Sequence, residues 1–359
     1  EVRVLRQFHV ARLASELFSR FESGEPVVLL CTSGTAVANY FPAIVEASMS
    51  YVPLVVLTAD RPPELQNTGA NQTINQTNIY GEYVRHFVAM PCPDEHVPLS
   101  YVLTTIDHAV AAARLSPSGP VQINCAYREP LAPSGSMHNA SLCIMFEQWL
   151  KTDEPYSQWK RPEVTHEVGD VFALAKKIHE FERVLFIVGN LPDANQDYGG
   201  GTAAIILQSL HDVPVFADIT SSARVQPSLP ENNASIANYD LMLLSPRFRE
   251  QCAPDVVVHL GGPIVSKRLS EHFAVTNPTY YIHVADHGSR LDPNHRVTHR
   301  VQASALSAVL DLFPDKKPAP SAWTMRIREE SRVVQDAVRT CLGQESTLSE
   351  PLIASTLGE

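Results

Sequence analysis

Short apolar runs that end in polar loops recur along this chain, and each is followed by a stretch with helical periodicity. In the first part of the chain the candidate strands are residues 27–30, 54–57 and 121–124, and the helical stretches are 11–22, 36–48 and 101–113. Parallel strands need long crossover connections, which are usually helical. The alternation therefore predicts βαβ units and a mainly parallel sheet.

The same alternation returns in the second half of the chain. A helical stretch at 168–181 precedes four further apolar runs, at 184–188, 213–217, 256–260 and 280–284. The chain has 359 residues, and single cores rarely grow past roughly 250–300 residues. The sequence therefore predicts an α/β fold made of two doubly wound parallel-sheet domains.

The predicted domain boundaries follow from a change in composition between the two halves. Residues 130–164 are rich in proline, serine and polar residues, which is typical of an interdomain linker. We predict a first domain at 1–135, a linker at 136–165 and a second domain at 166–313. The remaining residues, 314–359, contain a predicted helix at 323–341 and the start of a further segment.

The most informative motif follows the second apolar run. It reads Thr58-Ala-Asp-Arg-Pro-Pro-Glu64 and continues as Gly69-Ala-Asn-Gln-Thr-Ile-Asn-Gln76. Open α/β sheets bind ligands at the carboxyl ends of their strands. The planar guanidinium of Arg61 is suited to clamping a substrate carboxylate, and the alternative is a structural salt bridge to Asp60 or Glu64. Gln72 is either a neutral hydrogen-bonding ligand residue or an amide that caps the loop.

A second motif follows the first apolar run and has the same arrangement. It reads Cys31-Thr-Ser-Gly-Thr-Ala-Val-Ala-Asn39, so that hydroxyl residues and a glycine come directly after a strand and before a helix. The hydroxyl and amide donors of Thr32, Ser33 and Gly34 suit a polar or anionic ligand. The alternative for any single hydroxyl here is helix capping.

Together the two motifs resemble one family, the thiamine-diphosphate-dependent SEPHCHC synthases (MenD) of menaquinone and phylloquinone biosynthesis. Further pieces that extend the resemblance occur in the family's order: Leu103-Thr-Thr-Ile-Asp-His108, Gly119-Pro-Val-Gln-Ile-Asn-Cys125, Glu129-Pro-Leu131, Ser266-Lys-Arg-Leu269, Arg290-Leu-Asp-Pro293 and His299-Arg-Val-Gln302. The amino-acid sequences of these motifs are most similar to those of the fused plant and algal forms.

The resemblance implies a pyrimidine-binding-type domain followed by a central Rossmann-like domain, without the third, diphosphate-binding domain. It implies decarboxylation of 2-oxoglutarate and addition of the succinyl semialdehyde unit to isochorismate. The implied small-molecule partners are therefore 2-oxoglutarate and isochorismate. The implied cofactors are thiamine diphosphate and Mg²⁺ (or Mn²⁺), and both need the third domain. A homodimer or homotetramer is also implied, with a plastid location in a plant or alga and a cytoplasmic one otherwise.

The resemblance also assigns expected roles to individual residues. Arg61, Lys267 and Arg268 are expected at substrate carboxylates, and Gln72 at the thiamine-bound intermediate. Thr32, Ser33 and Gly34 are expected around the cofactor. For Lys267 and Arg268 the alternative is an ordinary solvated helix face.

The chain departs from the family at the catalytic acid. Thiamine chemistry needs a carboxylate at the pyrimidine ring, and the family carries it in an Asp-Glu-Arg run about seventeen residues before the first strand's proline. Counting back from Pro26 reaches His9, and the chain has no Asp-Glu-Arg run. Since the implied diphosphate-binding domain is also missing, we expect this polypeptide alone to be inactive and to bind thiamine diphosphate weakly or not at all. A truncated chain and a repurposed, non-catalytic module of a fusion protein both explain the departure.

Composition limits the remaining function classes. A formal net charge of −11 argues against a nucleic-acid partner. No apolar run reaches the roughly 20 residues that span a bilayer. Six widely spaced cysteines without a Cys-x-x-Cys motif suggest neither a zinc site nor a disulfide framework. His295 and His299 are predicted to share a helix face, but they lack a third ligand, so no metal site is assigned. A different thiamine-diphosphate carboligase, such as an acetolactate synthase, is the remaining enzymatic alternative.

Overall fold

The structure is a computed structural model, and it describes the following residues: 26–131, 146–147, 149–152, 154–159, 168–191, 201–210, 212–224, 235–312, 320–344, 347 and 349–353. The chain divides into two compact units, unit 1 at residues 1–163 and unit 2 at residues 164–359. The predicted helix at 11–22 and His9 lie outside the described residues. The finer domain boundaries drawn from the sequence stay a prediction.

Unit 1 contains a four-stranded sheet in which every pairing is parallel. Its strand order is β1-β2-β4-β3. The elements in chain order are β1 (Val27–Cys31), α1 (Thr35–Ala38), α2 (Phe41–Met49), β2 (Leu54–Asp60), β3 (His86–Met90), α3 (Leu99–Arg114) and β4 (Pro120–Ala126). The predicted parallel sheet is therefore confirmed for this unit.

The core of unit 1 lies on both faces of this sheet. Leu29, Leu54 and Val56 pack with helical residues in one buried cluster, while Val121 and Ile123 belong to a second cluster. β2 is buried along most of its length and has the nearly continuous apolar sequence that goes with such burial, which is why the sequence revealed it. The polar exceptions at the strand ends lie where the candidate site is built.

The single helix predicted at 36–48 is wrong, because the structure has two helices there. α1 ends at Ala38, a turn follows at Asn39 and Tyr40, and α2 begins at Phe41. Pro42 occupies the first turn of α2, where the missing N–H of proline is tolerated, whereas inside a continuous helix it would remove a hydrogen bond. The helix predicted at 101–113 is confirmed as α3.

Unit 2 contains a five-stranded sheet that is also entirely parallel. Its elements are α4 (Val168–Ile178), β5 (Val184–Val188), α5 (Gly201–Ser209), β6 (Val215–Ala217), α6 (Tyr239–Met242), α7 (Pro246–Gln251), β7 (Val256–Leu260), α8 (Lys267–Val275), β8 (Tyr280–Ala285), β9 (His299–Gln302), α9 (Ala305–Leu312) and α10 (Ala322–Gln344). The four strands predicted here are all confirmed, and so is the long helix α10.

The strand order of unit 2 is β6-β5-β7-β8-β9, which places a topological switch point between β5 and β7. Doubly wound sheets bind ligands at such points. The loops after these two strands touch closely, because the N–H of Gly262 donates to the carbonyl of Asn190 at 2.8 Å. A Cβ built on Gly189 would lie 2.3 Å from the Gly262 oxygen, so a side chain at that position cannot fit.

Two strands, β3 and β9, were not predicted from the sequence. Both are sheet edges, and their residues are half-buried or exposed, so neither reads as an apolar run. β9 also corrects the predicted helix for His295 and His299. His295 has φ 54° and lies in a turn, and His299 is the first residue of β9, so the two do not share a helix face. Among the described helices, none is long and apolar enough to cross a membrane.

Candidate functional site

Polar side chains lie on one face at the carboxyl ends of β2 and β4. Thr58 and Asp60 are two residues apart on β2, as Gln122 and Asn124 are on β4, and residues at that spacing point to the same face of a strand. Thr58 is directly paired with Asn124 in the sheet register. All four side chains are buried, so each polar atom needs a partner inside the protein.

These side chains form a hydrogen-bonded network with Asn124 at its centre. The hydroxyl of Thr58 donates to Asn124 Oδ1 at 2.7 Å, and the Asn124 amide donates to Asp60 Oδ2 at 2.7 Å. Gln76 joins from the loop after β2, since its amide donates to Asn124 Oδ1 at 2.9 Å. Gln122 donates to the carbonyl of Gln76 at 3.1 Å. The network fixes the ends of two strands and one loop as a unit.

The loop after β1 is joined to the same network through Gly34. Its N–H donates to Gln76 Oε1 at 2.8 Å. Gly34 has φ 85° and ψ −144°, a region that only glycine adopts readily. A Cβ at this position would lie 3.1 Å from the carbonyl oxygen of Gln72, so the two motif loops are in close backbone contact.

Arg61 lies at the carboxyl end of β2 with its guanidinium turned away from Asp60. The Asp60 carboxylate instead accepts the backbone N–H of Arg61 at 2.7 Å, and Glu64 pairs with Arg128 at 2.6 Å. The guanidinium donates to the carbonyl of Asn71 at 3.1 Å and contacts Gln72 Oε1 at 3.4 Å. Within the described part of the chain it forms no ion pair. The salt bridge to Asp60 or Glu64 that the sequence left open is therefore not formed.

The predicted cofactor residues differ in their exposure. Thr32 is exposed, while Ser33 is buried, and the Ser33 hydroxyl has no hydrogen-bond partner among the described residues. A buried hydroxyl without a partner is costly unless a ligand supplies one. The neighbouring thiol of Cys31 is not a nucleophile at neutral pH, since burial raises its pKa to about 12.

Lys267 and Arg268 occupy the first turn of α8 in unit 2, and residues 263–266 separate them from the Gly261-Gly262 turn that follows β7. Ser266 is the N-cap of this helix and accepts the Leu269 N–H at 3.1 Å. Lys267 is 87% exposed and lies 3.7 Å from Glu271. Arg268 forms an ion pair with Asp240. Lys267 is therefore the more available of the two cations, whereas Arg268 must exchange Asp240 for a ligand carboxylate.

Unit 2 also contains a cleft of about 460 Å³ near the start of β9. Its lining residues combine apolar and polar groups: His259, Pro263, Ile264, Ser270, Phe273, Tyr281, Arg290, Leu291, Asp292, Pro293, Asn294 and His295. The guanidinium of Arg290 contacts His295 Nδ1 at 2.8 Å. Two further arginines lie close by in the sequence. Arg296 donates to Asn277, and Arg300 forms an ion pair with Asp292.

The structure thus brings Arg61, Gln72 and Gly34 together in unit 1. Lys267 and Arg268 lie in unit 2, after the carboxyl end of β7. The sequence reasoning missed the roles of Gln76 and Asn124. The available signal was polar residues at alternate positions in otherwise apolar strands. In the described residues, no group of three or more His, Cys, Asp or Glu side chains is arranged to hold a metal ion.

Comparison with known families places these features in context. Residues 4–79 match the model described as "Thiamine pyrophosphate enzyme, N-terminal TPP binding domain". Residues 141–359, more than half of the chain, match the model described as "Middle domain of thiamine pyrophosphate". The two parallel-sheet units agree with this pair of domains. The chain belongs to the thiamine pyrophosphate enzyme family.

Within that family the homologues of the chain are SEPHCHC synthases. It is 36% identical over 339 residues to the 2-succinyl-5-enolpyruvyl-6-hydroxy-3-cyclohexene-1-carboxylate synthase of Chlorobaculum tepidum, a match that covers 93% of this chain and 56% of that protein. It is 38% identical over 337 residues to the same synthase of Rubrobacter xylanophilus, with 92% and 56% covered. It is 33% identical over 347 residues to "Protein PHYLLO, chloroplastic" of Arabidopsis thaliana, with 93% and 20% covered.

These relatives confirm the resemblance drawn from the sequence motifs. The chain spans about half the length of the bacterial synthases that it matches. The roles assigned to individual site residues stay predictions.

Proposed function

We propose that this chain supplies the pyrimidine-binding-type domain and the middle domain of a SEPHCHC synthase. The observation that carries the proposal is the state of Arg61. Its guanidinium has no ion-pair partner among the described residues, and it lies beside Gln72 at the carboxyl end of β2. An arginine whose carboxylate neighbours are already occupied is poised to bind the carboxylate of a ligand in a bidentate manner.

The substrates of the proposed reaction, isochorismate and 2-oxoglutarate, are both dicarboxylates and need cationic partners. Arg61 is the proposed partner of an isochorismate carboxylate, and Gln72 is the neutral hydrogen-bonding residue beside it. Lys267 and Arg268 are proposed to bind a substrate carboxylate from the start of α8. Holding both reactants in a fixed orientation lowers the entropic part of the reaction barrier.

Thiamine diphosphate, when bound with Mg²⁺ (or Mn²⁺), supplies the carbanion chemistry of such an enzyme. Among this chain's own residues, the buried hydroxyl of Ser33, which has no hydrogen-bond partner in the described ranges, fits a polar ring beside the loop after β1. Thr32 and Gly34 are the proposed neighbours of that ring. Asp60 is not proposed as the acid that activates the cofactor, because both oxygens of its carboxylate already accept hydrogen bonds.

The proposal extends to assembly and location. A homodimer or homotetramer is proposed, because enzymes of this family place the cofactor between two subunits. Sedimentation of the purified protein tests that part directly. For a chain from a plant or alga we propose a plastid location, in line with the word "chloroplastic" in the printed name of the Arabidopsis thaliana relative, and for a bacterial chain a cytoplasmic one.

The deciding experiment is a paired consumption assay. Because the chain alone is expected to be inactive, an enzyme that contains this chain is incubated with isochorismate, 2-oxoglutarate, thiamine diphosphate and Mg²⁺, and loss of both substrates is followed by chromatography. Equal consumption of the two, which stops when either one is left out, supports the synthase. Consumption of pyruvate in place of 2-oxoglutarate indicates a different carboligase and overturns the proposal. If nothing is consumed, binding of isochorismate by calorimetry separates a chain that holds the substrate without turnover from one that does not recognise it.

A further inference from the structure

The side chain of Gln76 makes contact with three strand-end segments at once. Its Oε1 accepts the N–H of Gly34 at 2.8 Å, on the loop after β1. Its Nε2 donates to the carbonyl of Ala59 on β2 at 3.0 Å and to Asn124 Oδ1 on β4 at 2.9 Å. The residue is only 1% exposed, so these contacts are made away from water.

The partners of Gln76 require an amide at this position. Gly34 offers a donor, whereas Ala59 and Asn124 offer acceptors, and a primary amide is the side-chain group that carries both an acceptor oxygen and two donor hydrogens. Asn124 cannot turn over to compensate. Its Oδ1 also accepts the hydroxyl of Thr58, and its Nδ2 donates to Asp60. The hydrogen-bond polarity of the whole network is therefore set.

Two backbone peptides of the candidate site depend on this network. The Gly34 N–H belongs to the Ser33–Gly34 peptide, whose orientation helps to place the Ser33 hydroxyl, a group with no hydrogen-bond partner in the part of the chain that the structure describes. At the other end, Asp60 accepts the N–H of Arg61 at 2.7 Å, and this contact keeps the Asp60 carboxylate away from the Arg61 guanidinium. A continuous path of hydrogen bonds thus runs from Gly34 to Arg61.

We propose that Gln76 is a positioning residue of the ligand site. It holds the Gly34 peptide directly and the Arg61 peptide through Asn124 and Asp60, so that the loops after β1 and β2 present their ligand groups in one fixed geometry. Gln76 itself makes no ligand contact, because its side chain is fully used inside the protein. The inference rests on the proposed function in that the ligand at Arg61 is taken to be a carboxylate.

Two substitutions in the full chain, Gln76→Glu and Gln76→Met, test the role of the amide. The ionised carboxylate introduced by Gln76→Glu still accepts the Gly34 N–H but donates to neither Asn124 nor Ala59, while its protonated form regains one donor. Asp60 and Arg61 are the charged groups at the far end of the network. We expect Gln76→Glu to lower the affinity for isochorismate about tenfold at pH 8. As the pH falls to 5, the affinity of this variant is expected to return part of the way to the wild-type value. We expect Gln76→Met to weaken binding at both pH values.

The matched control is Gln302→Glu on β9 of unit 2. Gln302 also donates an amide hydrogen bond, to the carbonyl of Asp286 at 3.4 Å, so the same chemical change is made far along the chain from the strand ends of unit 1. This variant is expected to keep wild-type isochorismate affinity at both pH values. A purely structural role for Gln76 predicts the same behaviour for all three variants once the unfolded fraction is subtracted, and that result overturns the proposal.

A second measurement needs no ligand. Hydrogen exchange of the Gly34 amide, followed by nuclear magnetic resonance, is expected to be slow in the wild type and markedly faster in Gln76→Met, with the core amides of β1 unchanged. If the wild-type chain fails to bind isochorismate, the proposed function fails, and the Gly34 amide alone decides the positioning role. Unchanged protection of Gly34 in Gln76→Met then overturns it, and selective loss supports it.

Discussion

At the scale of single residues, the fate of one carboxylate decides what Arg61 can do. Asp60 is buried, and its two oxygens accept the backbone N–H of Arg61 and the amide of Asn124, each at 2.7 Å. A neighbouring aspartate and arginine would ordinarily be assumed to pair. Here the backbone and an amide satisfy the aspartate, so the guanidinium is left beside Gln72.

The first prediction concerns Arg61→Ala in an active enzyme that contains this chain. Loss of a charge-assisted carboxylate contact is expected to lower kcat/KM for isochorismate. The lost transition-state stabilisation is expected to be about 2 to 5 kcal/mol, by analogy with desolvated charge pairs. Arg61→Lys is expected to restore only part of this, because an ammonium group cannot reproduce the guanidinium fork. Steady-state kinetics with varied isochorismate measures both effects.

The control for Arg61 is Arg183→Ala. Arg183 lies just before β5 in unit 2, and its exposed guanidinium is already held by Asp255, so its removal is expected to leave kcat/KM almost unchanged. A large fall in melting temperature for Arg61→Ala, together with an unchanged kcat/KM, would identify Arg61 as a structural residue instead.

A second residue-scale prediction concerns Gly34→Ala. Its φ of 85° is strained for any side chain, and the new Cβ would lie 3.1 Å from the Gln72 carbonyl. We expect the free energy of unfolding to fall by about 1 to 3 kcal/mol. Gly69→Ala is the matched control, since Gly69 has a similar φ of 78° but nothing within 4 Å of the added carbon. Denaturant titration is expected to show a larger loss for Gly34→Ala; equal losses would mean that contact with Gln72 is unimportant.

At the scale of secondary-structure elements, Arg85 joins three parts of unit 1. It lies just before β3, and its guanidinium donates to the hydroxyl and carbonyl of Ser48 near the end of α2, both at 2.9 Å. It also donates to the carbonyls of Pro117 and Ser118 before β4, both at 2.9 Å. A cation at the carboxyl end of a helix further stabilises the exposed carbonyls there.

Arg85→Met is therefore expected to destabilise unit 1 by about 2 kcal/mol or more, because charge-assisted hydrogen bonds to several partly buried acceptors are lost together. Arg332→Met on α10 is the control, since Arg332 is exposed and pairs within its own helix. Thermal unfolding of the two variants checks the difference. Equal melting temperatures would show that the carbonyls around Arg85 are satisfied by water instead.

Two buried histidines, one on β7 and one on β8, make the free energy of unfolding depend on pH. Their rings, those of His259 and His283, lie 4.9 Å apart between centroids, and each donates to a glycine carbonyl, at 2.8 and 3.0 Å. Burial lowers the pKa of His259 from 6.5 to about 3. Burial also lowers the pKa of His283. Both rings are therefore neutral in the folded protein at neutral pH.

The predicted consequence is loss of stability on acidification. Between pH 6.5 and about 3, only the unfolded state binds the His259 proton, so the free energy of unfolding falls as the pH falls through this range. The slope is about 1.4 kcal/mol per pH unit for one such group. His259→Gln, which keeps an amide donor for Gly262, is expected to flatten the slope. Denaturant titrations at pH 7, 5.5 and 4.5 test this, and an unchanged slope would contradict it.

At the scale of the whole molecule, each unit has hydrophobic clusters of its own residues. Residues of β1, β2 and β4 contribute to those of unit 1, and residues of β5, β7 and β8 to those of unit 2. We therefore expect two calorimetric transitions. Arg85→Met is expected to lower the temperature of the unit 1 transition. His259→Gln is expected to change the pH dependence of the unit 2 transition. A single transition that moves with both substitutions would mean that the two units unfold cooperatively.

Much of this architecture could be predicted before the structure, because it depends on local patterns. The buried strand β5 is a continuous apolar run and β7 is apolar except for His259, and such strands alternating with helices indicate parallel sheets whatever their neighbours. The edge strands β3 and β9 escaped prediction for the converse reason. Half-exposed edges carry mixed residues, and only hydrogen bonding to a neighbouring strand makes them part of a sheet.

The sequence by itself determined the α/β class, the two-unit division and the family, since each rests on periodicity or on motifs read along the chain. The tertiary structure alone decided which partners the motif residues take. Gly34 and Gln76 are 42 residues apart, and Thr58 and Asn124 are 66 apart, yet each pair shares a hydrogen bond. Such bonds depend on distances of a few tenths of an ångström. Only the packed sheet fixes those distances, and with them the contacts of Arg61, which forms no ion pair within the described part of the chain.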